Sequence, residues 1–463
     1  MKTYQDWLKV ADKSELERMQ FIKTAINDHK GSPEYKIAIA GEEYYAGRNP
    51  TITKYEKLII DGLGRLTQDS YSANHKIASK IFNRIITQEN LVLTGNGITW
   101  NNEDTKQILG KDFDRQIYKA VRSALVERAS YGFWNLDHLE IYKFIEFVAL
   151  LDEEDGAIKT GIRFWQIDNT KPLRATLFEM DGYTDYMWNK DHPEGIVLHE
   201  KRAYIIDVES TEADGDEILD GRNYPSFPVV VLYGNEIKQS ELIGLRDKID
   251  AFDLISSGYV NDEDDANFLY WTFKNAGGMD DSDLLQALDR LRKVKATTID
   301  GDGQIEAHSV NIEYAGREAV LDRLEKQIYR DAMALNTYDL ASGTVTATQI
   351  QASYEPLNQK LDQLEMQLSE FIDGILELAG VDDTATFTRS IIVNRTEEIQ
   401  ALMLTATIMD AEYLRKKIMT LMGDKDQIEE VENRIMTDNI QRLNFDDEAG
   451  QEEGEQNQPS EDE

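Results

Sequence analysis

Carboxylates dominate the reactive side chains of this sequence: 87 Asp and Glu stand against 50 Lys and Arg and 6 His, for a formal net charge of -37, and there is no cysteine. The missing cysteines exclude disulfides, thiolate nucleophiles and Cys-based zinc sites, and fit assembly in a reducing cytoplasm. His29, His75, His138, His192, His199 and His308 occur singly without metal-ligand spacing, and read as surface or packing residues. Paired carboxylates are so frequent here that no single pair marks acid–base catalysis. No Gly-rich loop ending in Gly-Lys-Ser/Thr is present, so ATP hydrolysis is not expected. The turn Asp300-Gly301-Asp302-Gly303 invites a calcium reading. In the register of an EF-hand loop, however, it places Thr298 first and Ser309 twelfth, where an Asp and a bidentate Glu are required, so a hairpin turn fits better. The run Asp262-Glu263-Asp264-Asp265 falls on a helical pattern, and a straight helix does not converge ligands on a cation. No catalytic residue, metal site or cofactor is expected, and the chain does not read as an enzyme.

The elements between Pro228 and Gly380 are more informative than any reactive group. Leu242, Leu245, Ile249, Phe252, Ile255 and Tyr259 recur at steps of three and four, which predicts an amphipathic helix. Its other face carries Asp247, Asp250 and Asp253, and the acidic run at its far end opposes the helix macrodipole, so another demand or an early helix end must account for it. A returning helix repeats the pattern with Leu321, Leu324, Ile328 and Leu335, and carries Glu318, Asp322 and Glu325 between them. Each stripe is narrow: the two helices can pack on each other, and their polar flanks are left for a neighbouring copy or water. Between them, the aromatics Phe268, Tyr270, Trp271 and Phe273, a short helix from Ser282 to about Leu291 and the alternating segment Val294 to Ile299 predict a small β-like insert. A small-residue loop containing Thr337, Ser342, Gly343, Thr344 and Val345 then leads into a helix from about Thr346 to Ala379, roughly 50 Å long at about 1.5 Å per residue. Leu357, Leu361, Leu364, Leu368, Phe371 or Ile372, and Ile375 give this helix a near-heptad stripe, and Pro356 should kink it. On pattern alone the loop is a connector.

Upstream, Glu15 to Lys30 has a helical pattern, followed by the Gly31-Ser32-Pro33 breaker and a second helix. His75 to Thr87 and Asp104 to Ser130 are also helical in pattern. From Leu139 to Ile206 short alternating runs separated by turns predict an antiparallel meander, with Trp165, Tyr183, Tyr186 and Trp188 as core or subunit contacts. Beyond Phe445 the chain is acidic without lysine or arginine, and cannot bury enough apolar surface to order itself. The N-terminus lacks the apolar core of a signal peptide and no apolar run approaches a membrane span, so a soluble, unexported chain is expected.

An ordered series of short segments carries a family resemblance. Phe227-Pro228-Val229-Val230-Val231-Leu232-Tyr233-Gly234-Asn235, Ser240-Glu241-Leu242, Leu324-Glu325-Lys326-Gln327-Ile328-Tyr329 and Ala341-Ser342-Gly343 are similar to the portal proteins of siphoviruses that infect Gram-positive bacteria. Tyr44-Tyr45-Ala46-Gly47, Asn83-Arg84-Ile85-Ile86 with Leu93-Thr94-Gly95, and Gly161-Ile162-Arg163-Phe164-Trp165 extend the likeness over nearly the whole chain. The resemblance implies an α+β, mainly α portal fold assembled as a closed, dodecameric ring. Its implied parts are a wing (1–238), a first stem helix (239–266), a clip (267–314), a second stem helix (315–336), a tunnel loop (337–348), a long kinked helix returning to the wing (349–395), a crown (396–444) and a disordered acidic tail (445–463).

Through such a ring, at one capsid vertex of the virion, double-stranded DNA is packaged and later ejected. Implied partners are the terminase large subunit, the major capsid and scaffold proteins and a head-completion adaptor, with DNA passing non-specifically, no membrane, and assembly in the host cytoplasm. Thr337, Ser342, Gly343, Thr344, Val345, Thr346 and Thr348 would lie nearest the DNA. Asp247, Asp250, Asp253, Glu318, Asp322 and Glu325 would be channel-facing stem acids, and Lys274, Arg290, Arg292, Lys293 and Lys295 would dock the motor and adaptor at the clip. The charge fits a conduit: DNA carries about one negative charge per 1.7 Å, so an acidic lining repels rather than grips it. Two other readings remain: an enzyme acting on nucleic acid or polysaccharide, and a coiled-coil structural or scaffold protein built on the long helix, without a DNA channel.

Overall fold

The N-terminal helices start where short polar side chains can cap them. α1 (Tyr4–Ala11) follows Thr3, whose side chain accepts from the Asp6 N–H; α2 (Glu15–Gly31) opens with a reciprocal Ser14/Glu17 capping box; α3 (Pro33–Tyr45) follows Ser32, with proline in its first turn. The computed structural model describes residues 2–60, 64–69, 72–210, 217–266, 270–274, 280–294, 304–308, 314–338, 347–390, 399, 402–405, 408–422, 427–428 and 430–437. The chain forms two units, Met1–Ala341 with Ser353–Ser390, and Ser342–Ala352 with Ile391–Glu463.

In the first unit, α4 (Pro50–Thr53) and a two-stranded hairpin, β1 (Leu58–Ile60) with β2 (Leu66–Gln68), precede α5 (Ile81–Thr94), β3 (Ile98–Thr99), α6 (Glu103–Leu109) and α7 (Phe113–Glu127). The expected helix from Asp104 to Ser130 is thus two helices, because Gly110 at φ 82° breaks it and Ser130 already belongs to a strand. β4 (Ala129–Asn135) and β5 (His138–Lys143) follow. β6 (Phe147–Leu151), β7 (Ile158–Trp165), β8 (Leu173–Glu179), β9 (Gly182–Trp188) and β10 (Ile196–Arg202) form an antiparallel meander in simple sequential order. β11 (Ile205–Ser210) pairs with β12 (Glu217–Arg222), and β13 (Val229–Tyr233) joins the far edge of β4.

The core follows from these patterns. One face of the meander packs Val148, Leu150, Ile162, Leu177, Tyr186 and Trp188 against Trp7, Ile22 and Ile26 of α1 and α2. Tyr186 and Trp188 are core, as expected, while Trp165 and Tyr183 are half-buried. α8 (Arg246–Ala266), a β14 (Tyr270–Lys274)–α9 (Asp281–Val294)–β15 (Gln304–His308) insert and α10 (Tyr314–Asp331) follow in the expected order, with β14 and β15 antiparallel. The expected strand at Val294–Ile299 and the turn at Asp300–Gly303 fall, apart from Val294 at the end of α9, outside the described residues.

α11 (Ala347–Ala379) runs through Pro356 as one helix. Its stripe of Leu357, Leu361, Leu364, Leu368, Phe371, Ile372 and Ile375 is buried, with Phe371 packed over Gly132 of β4 and Gly374 set against Val230 of β13. That burial spends the stripe within the chain, which counts against the coiled-coil reading. β16 (Thr386–Phe387) pairs with β3. In the second unit, α12 (Ala411–Met422) is the longest described helix that lies wholly within it, and Lys416 pairs there with Glu412 and Glu432. The acidic tail lies outside the described residues. No described helix is long and apolar enough to cross a membrane.

Candidate functional site

α8 and α10 pack antiparallel, as two narrow apolar stripes demand, and polar contacts fix their register. Lys248 pairs with Asp331 at 2.7 Å near the root, and at the far end Arg317 pairs with Asp262 at 2.5 Å while Tyr314 Oη donates to Glu263 at 2.7 Å. His75 Nε2 lies 3.2 Å from Asp264. These partners are the demand behind the acidic run at the C-terminal end of α8: the cations and donors that offset its clash with the macrodipole come from other segments.

α8 is held along its other side by an extended segment. The backbone N–H groups of His75, Ile77 and Ser79 donate to the side chains of Asn261, Ser257 and Asp253 at 2.6, 3.0 and 3.0 Å. Two extended residues advance about 6.6 Å and four helical residues about 6 Å, so alternate donors on the strand-like segment match every fourth acceptor on the helix. The expected helix from His75 therefore begins only at Ile81. The spacing of Ile77, Ile81 and Ile85 is helical, but the backbone donors before Ile81 are taken by α8.

Two of the acids expected to face a channel face the protein instead. Asp253 is fully buried and accepts from Asn49 Nδ2 at 2.8 Å as well as from Ser79; burial raises its pKa, against the pull of those bonds. Asp250 accepts from Asn49 Nδ2 at 2.9 Å, from Thr51 Oγ1 at 3.0 Å and from the Tyr44 hydroxyl. Their place on the acidic face of α8 concealed partners nearly two hundred residues upstream. Glu325 is half-buried with Arg84 at 4.0 Å, whereas Asp247, Glu318 and Asp322 are exposed. The exposed face of α10 is also not purely acidic, since Arg323, Lys326 and Arg330 stand on it.

A buried ion cluster, which the sequence reading missed, joins the roots of both helices to α11. Lys360 Nζ donates to Glu89 Oε1 of α5 at 2.6 Å, to Glu241 Oε2 before α8 at 2.7 Å and to the Ala332 carbonyl after α10 at 3.1 Å. Next to it, Gln88 clasps the Leu335 backbone through both N–H and carbonyl, at 2.9 and 3.1 Å. Asn235 Nδ2 steadies Glu241 at 2.9 Å. Burial pushes Glu89 up to about 7; the Lys360 ammonium opposes this and the Glu241 carboxylate adds to it. Burial works against the charge on Lys360, but the two carboxylates outweigh it and raise its pKa. One ammonium serves two carboxylates, and Glu89 Oε2 has no hydrogen-bond partner. The available signal was a polar residue within an apolar stripe: Glu89 between Ile85 and Leu93, Lys360 between Leu357 and Leu361.

Of the loop residues expected nearest to DNA, Thr337 is exposed and Thr348 lies in the first turn of α11, while Ser342, Gly343, Thr344, Val345 and Thr346 lie outside the described residues. In the insert, Lys274 is paired with Glu306 at 2.6 Å and Lys293 with Asp289 at 2.9 Å, so both expected docking cations are locally neutralised. Arg290 is exposed, Arg292 lies on α9, and Lys295 is outside the described residues. Among the described residues no cluster of His, Asp and Glu is arranged to hold a metal ion.

Residues 181–440, which include this hairpin, its insert and α11, match the family model described as "Phage portal protein, SPP1 Gp6-like". The portal protein of Bacillus phage SPP1 is 21% identical over 470 residues, covering 95% of this chain and 91% of that protein. The portal protein of Clostridium phage phiCD119 is 29% identical over 185 residues, 38% of this chain and 41% of that protein, so the match spans less than half of that relative. Among solved structures, the chain is similar to a chain from the neck of an empty GTA particle computed with C6 symmetry (TM-score 0.46, 8% identity, 73% of this chain and 90% of that one). It is also similar to one from the neck of a native GTA particle computed with C12 symmetry (TM-score 0.42, 10% identity, 73% and 89%).

Proposed function

The chain belongs to the phage portal protein family of the SPP1 Gp6-like type, and from that premise we propose that identical copies close into a ring around an axial channel. Through it double-stranded DNA enters a capsid and later leaves. The observation that carries the reading is the family match over 181–440, because that segment contains the pieces suited to lining a channel: α8, the β14–α9–β15 insert, α10 and α11.

In this reading residues 1–238 are the wing, α8 and α10 the stem, the insert the clip, and the chain from 396 to 444 the crown. The protein is a structural component of the virion rather than an enzyme. The packaging ATPase, the terminase large subunit, would dock at the clip through Arg290, Arg292 and Lys295, and the head-completion adaptor would later occupy the same place. Capsid and scaffold proteins would surround the wing.

Electrostatics then sets the mechanism. A net charge of -37 per copy disfavours retention of a polyanion, whose binding depends on cations that displace counterions. Asp247, Glu318 and Asp322 remain available on the stem to repel DNA, and Thr337 brings an exposed hydroxyl to the start of the tunnel loop. Neutral donors touch phosphates without reading sequence.

A packaging reaction tests this. Procapsids built with the chain, motor protein and ATP should protect DNA from nuclease, and procapsids lacking only this chain should not. Equal protection in both refutes the reading.

A further inference from the structure

α10 presents two exposed flanks that differ in charge. Lys248, Tyr259 and Asp262 mark the side of α8 that meets α10; Arg317, Ile328 and Asp331 mark the answering side of α10. At about 100° of rotation per residue, Val320 and Arg323 fall on one side of that contact line and Glu318 and Asp322 on the other. The same construction on α8 puts Asp247 and Leu254 on the flank of Arg323, where Leu254 also borders a cavity lined by Ile52, Tyr55 and His75, and Val260 on the flank of Asp322. All seven are on the surface, with Leu254 45%, Val320 45% and Val260 36% exposed. Arg323, Glu318 and Asp322 have no ion-pair partner among the described residues.

Height along the hairpin matches as well. The pairs Lys248–Asp331 and Asp262–Arg317 fix an antiparallel register in which Val320 stands level with Val260, and Arg323 and Asp322 are consecutive residues. A second hairpin set alongside the first, helices aligned, brings Arg323 of one copy to Asp322 and Glu318 of the next. Val320 then stands level with Val260 of the next copy.

We infer that these two flanks are the repeated contact between neighbouring copies of this chain, with Arg323 supplying the cation and Glu318 and Asp322 the anions. The flanks are unlike and lie on roughly opposite sides, so the contact is head-to-tail, the type that closes into rings and not into two-fold dimers. In a chain this acidic, a contact without such a cation sets carboxylates against each other. The inference rests on the ring proposed above and moves Glu318 and Asp322 from the bore to the boundary between copies.

The test is a charge swap in the full chain, read by mass photometry at about 150 mM salt, where exposed charges are screened beyond about 8 Å. Arg323→Glu, and separately Glu318→Arg with Asp322→Arg, should each cut the ring fraction about tenfold with an unchanged circular dichroism spectrum and melt. All three substitutions together should restore it. Rings that tolerate Arg323→Glu, or single-flank variants that the combined variant fails to rescue, overturn this contact while leaving the portal reading standing. A parent chain that forms no ring overturns both.

Discussion

Replacing Lys360 with methionine preserves the length and apolar body of the side chain but deletes the ammonium on which Glu89 and Glu241 converge. Glu89 is 1% exposed and Glu241 14%, so neither carboxylate regains full hydration when the cation is lost. Breaking a buried pair from one side costs about 3–5 kcal/mol, and the 16% residual exposure of Lys360 argues for the lower end, about 3 kcal/mol. For a unit of this size that is a fall in Tm of roughly 4–6 °C, measured by differential scanning fluorimetry. Hydrogen exchange should quicken together at residues 329–336 and 238–249, because the cluster ties both hairpin roots to α11. Lys360→Met combined with Glu89→Gln removes the stranded charge as well as the cation, and should recover at least half of the loss. A Tm within about 1 °C of the parent chain, or a double variant less stable than the single, refutes the assignment of this cluster as the tie between α11 and the hairpin.

The raised pKa of Glu89 also gives a pH signature. Because the folded chain holds this proton more tightly than the unfolded chain, the contribution is fully present below the ordinary 4.5 and is lost as pH rises through about 7. Glu89→Gln should therefore gain on the parent chain between pH 5 and pH 8 by up to about 3 kcal/mol, and parallel stability profiles would contradict this. Asp253→Ala leaves the Ser79 N–H without its acceptor and the Asn49 amide with Asp250 alone, at a cost of about 1–3 kcal/mol, with faster hydrogen exchange at residues 75–79; unchanged exchange there would refute the docking role. Gly132→Ala places a Cβ 2.5 Å from Phe371 Cζ and should cost about 1–3 kcal/mol, relieved by adding Phe371→Leu; no relief would mean the clash lies elsewhere.

Period-two and period-3.6 patterning made the meander and the α8–α10 hairpin legible, because in both the buried face is set by local repetition. Legibility failed where tertiary partners overrode the pattern. Ile77, Ile81 and Ile85 keep helical spacing, yet three alternate backbone donors before Ile81 go to α8, and that bonding decides the conformation. Asp250 and Asp253 read as channel-facing acids because a solvated carboxylate and a buried, partnered one look the same in sequence when the partner is distant. The Lys360 cluster joins residues 119 and 271 positions apart, beyond any periodic signal. Lys274 and Lys293 stood out as cations in an acidic chain, while the carboxylates that pair with them were lost among the chain's 87 Asp and Glu.

Electron microscopy of the purified full-length chain bears most directly on whether it builds a channel. Class averages viewed down the symmetry axis should show a closed ring of identical subunits around an open central hole. Solid particles, elongated dimers or lone subunits at micromolar concentration would contradict the account.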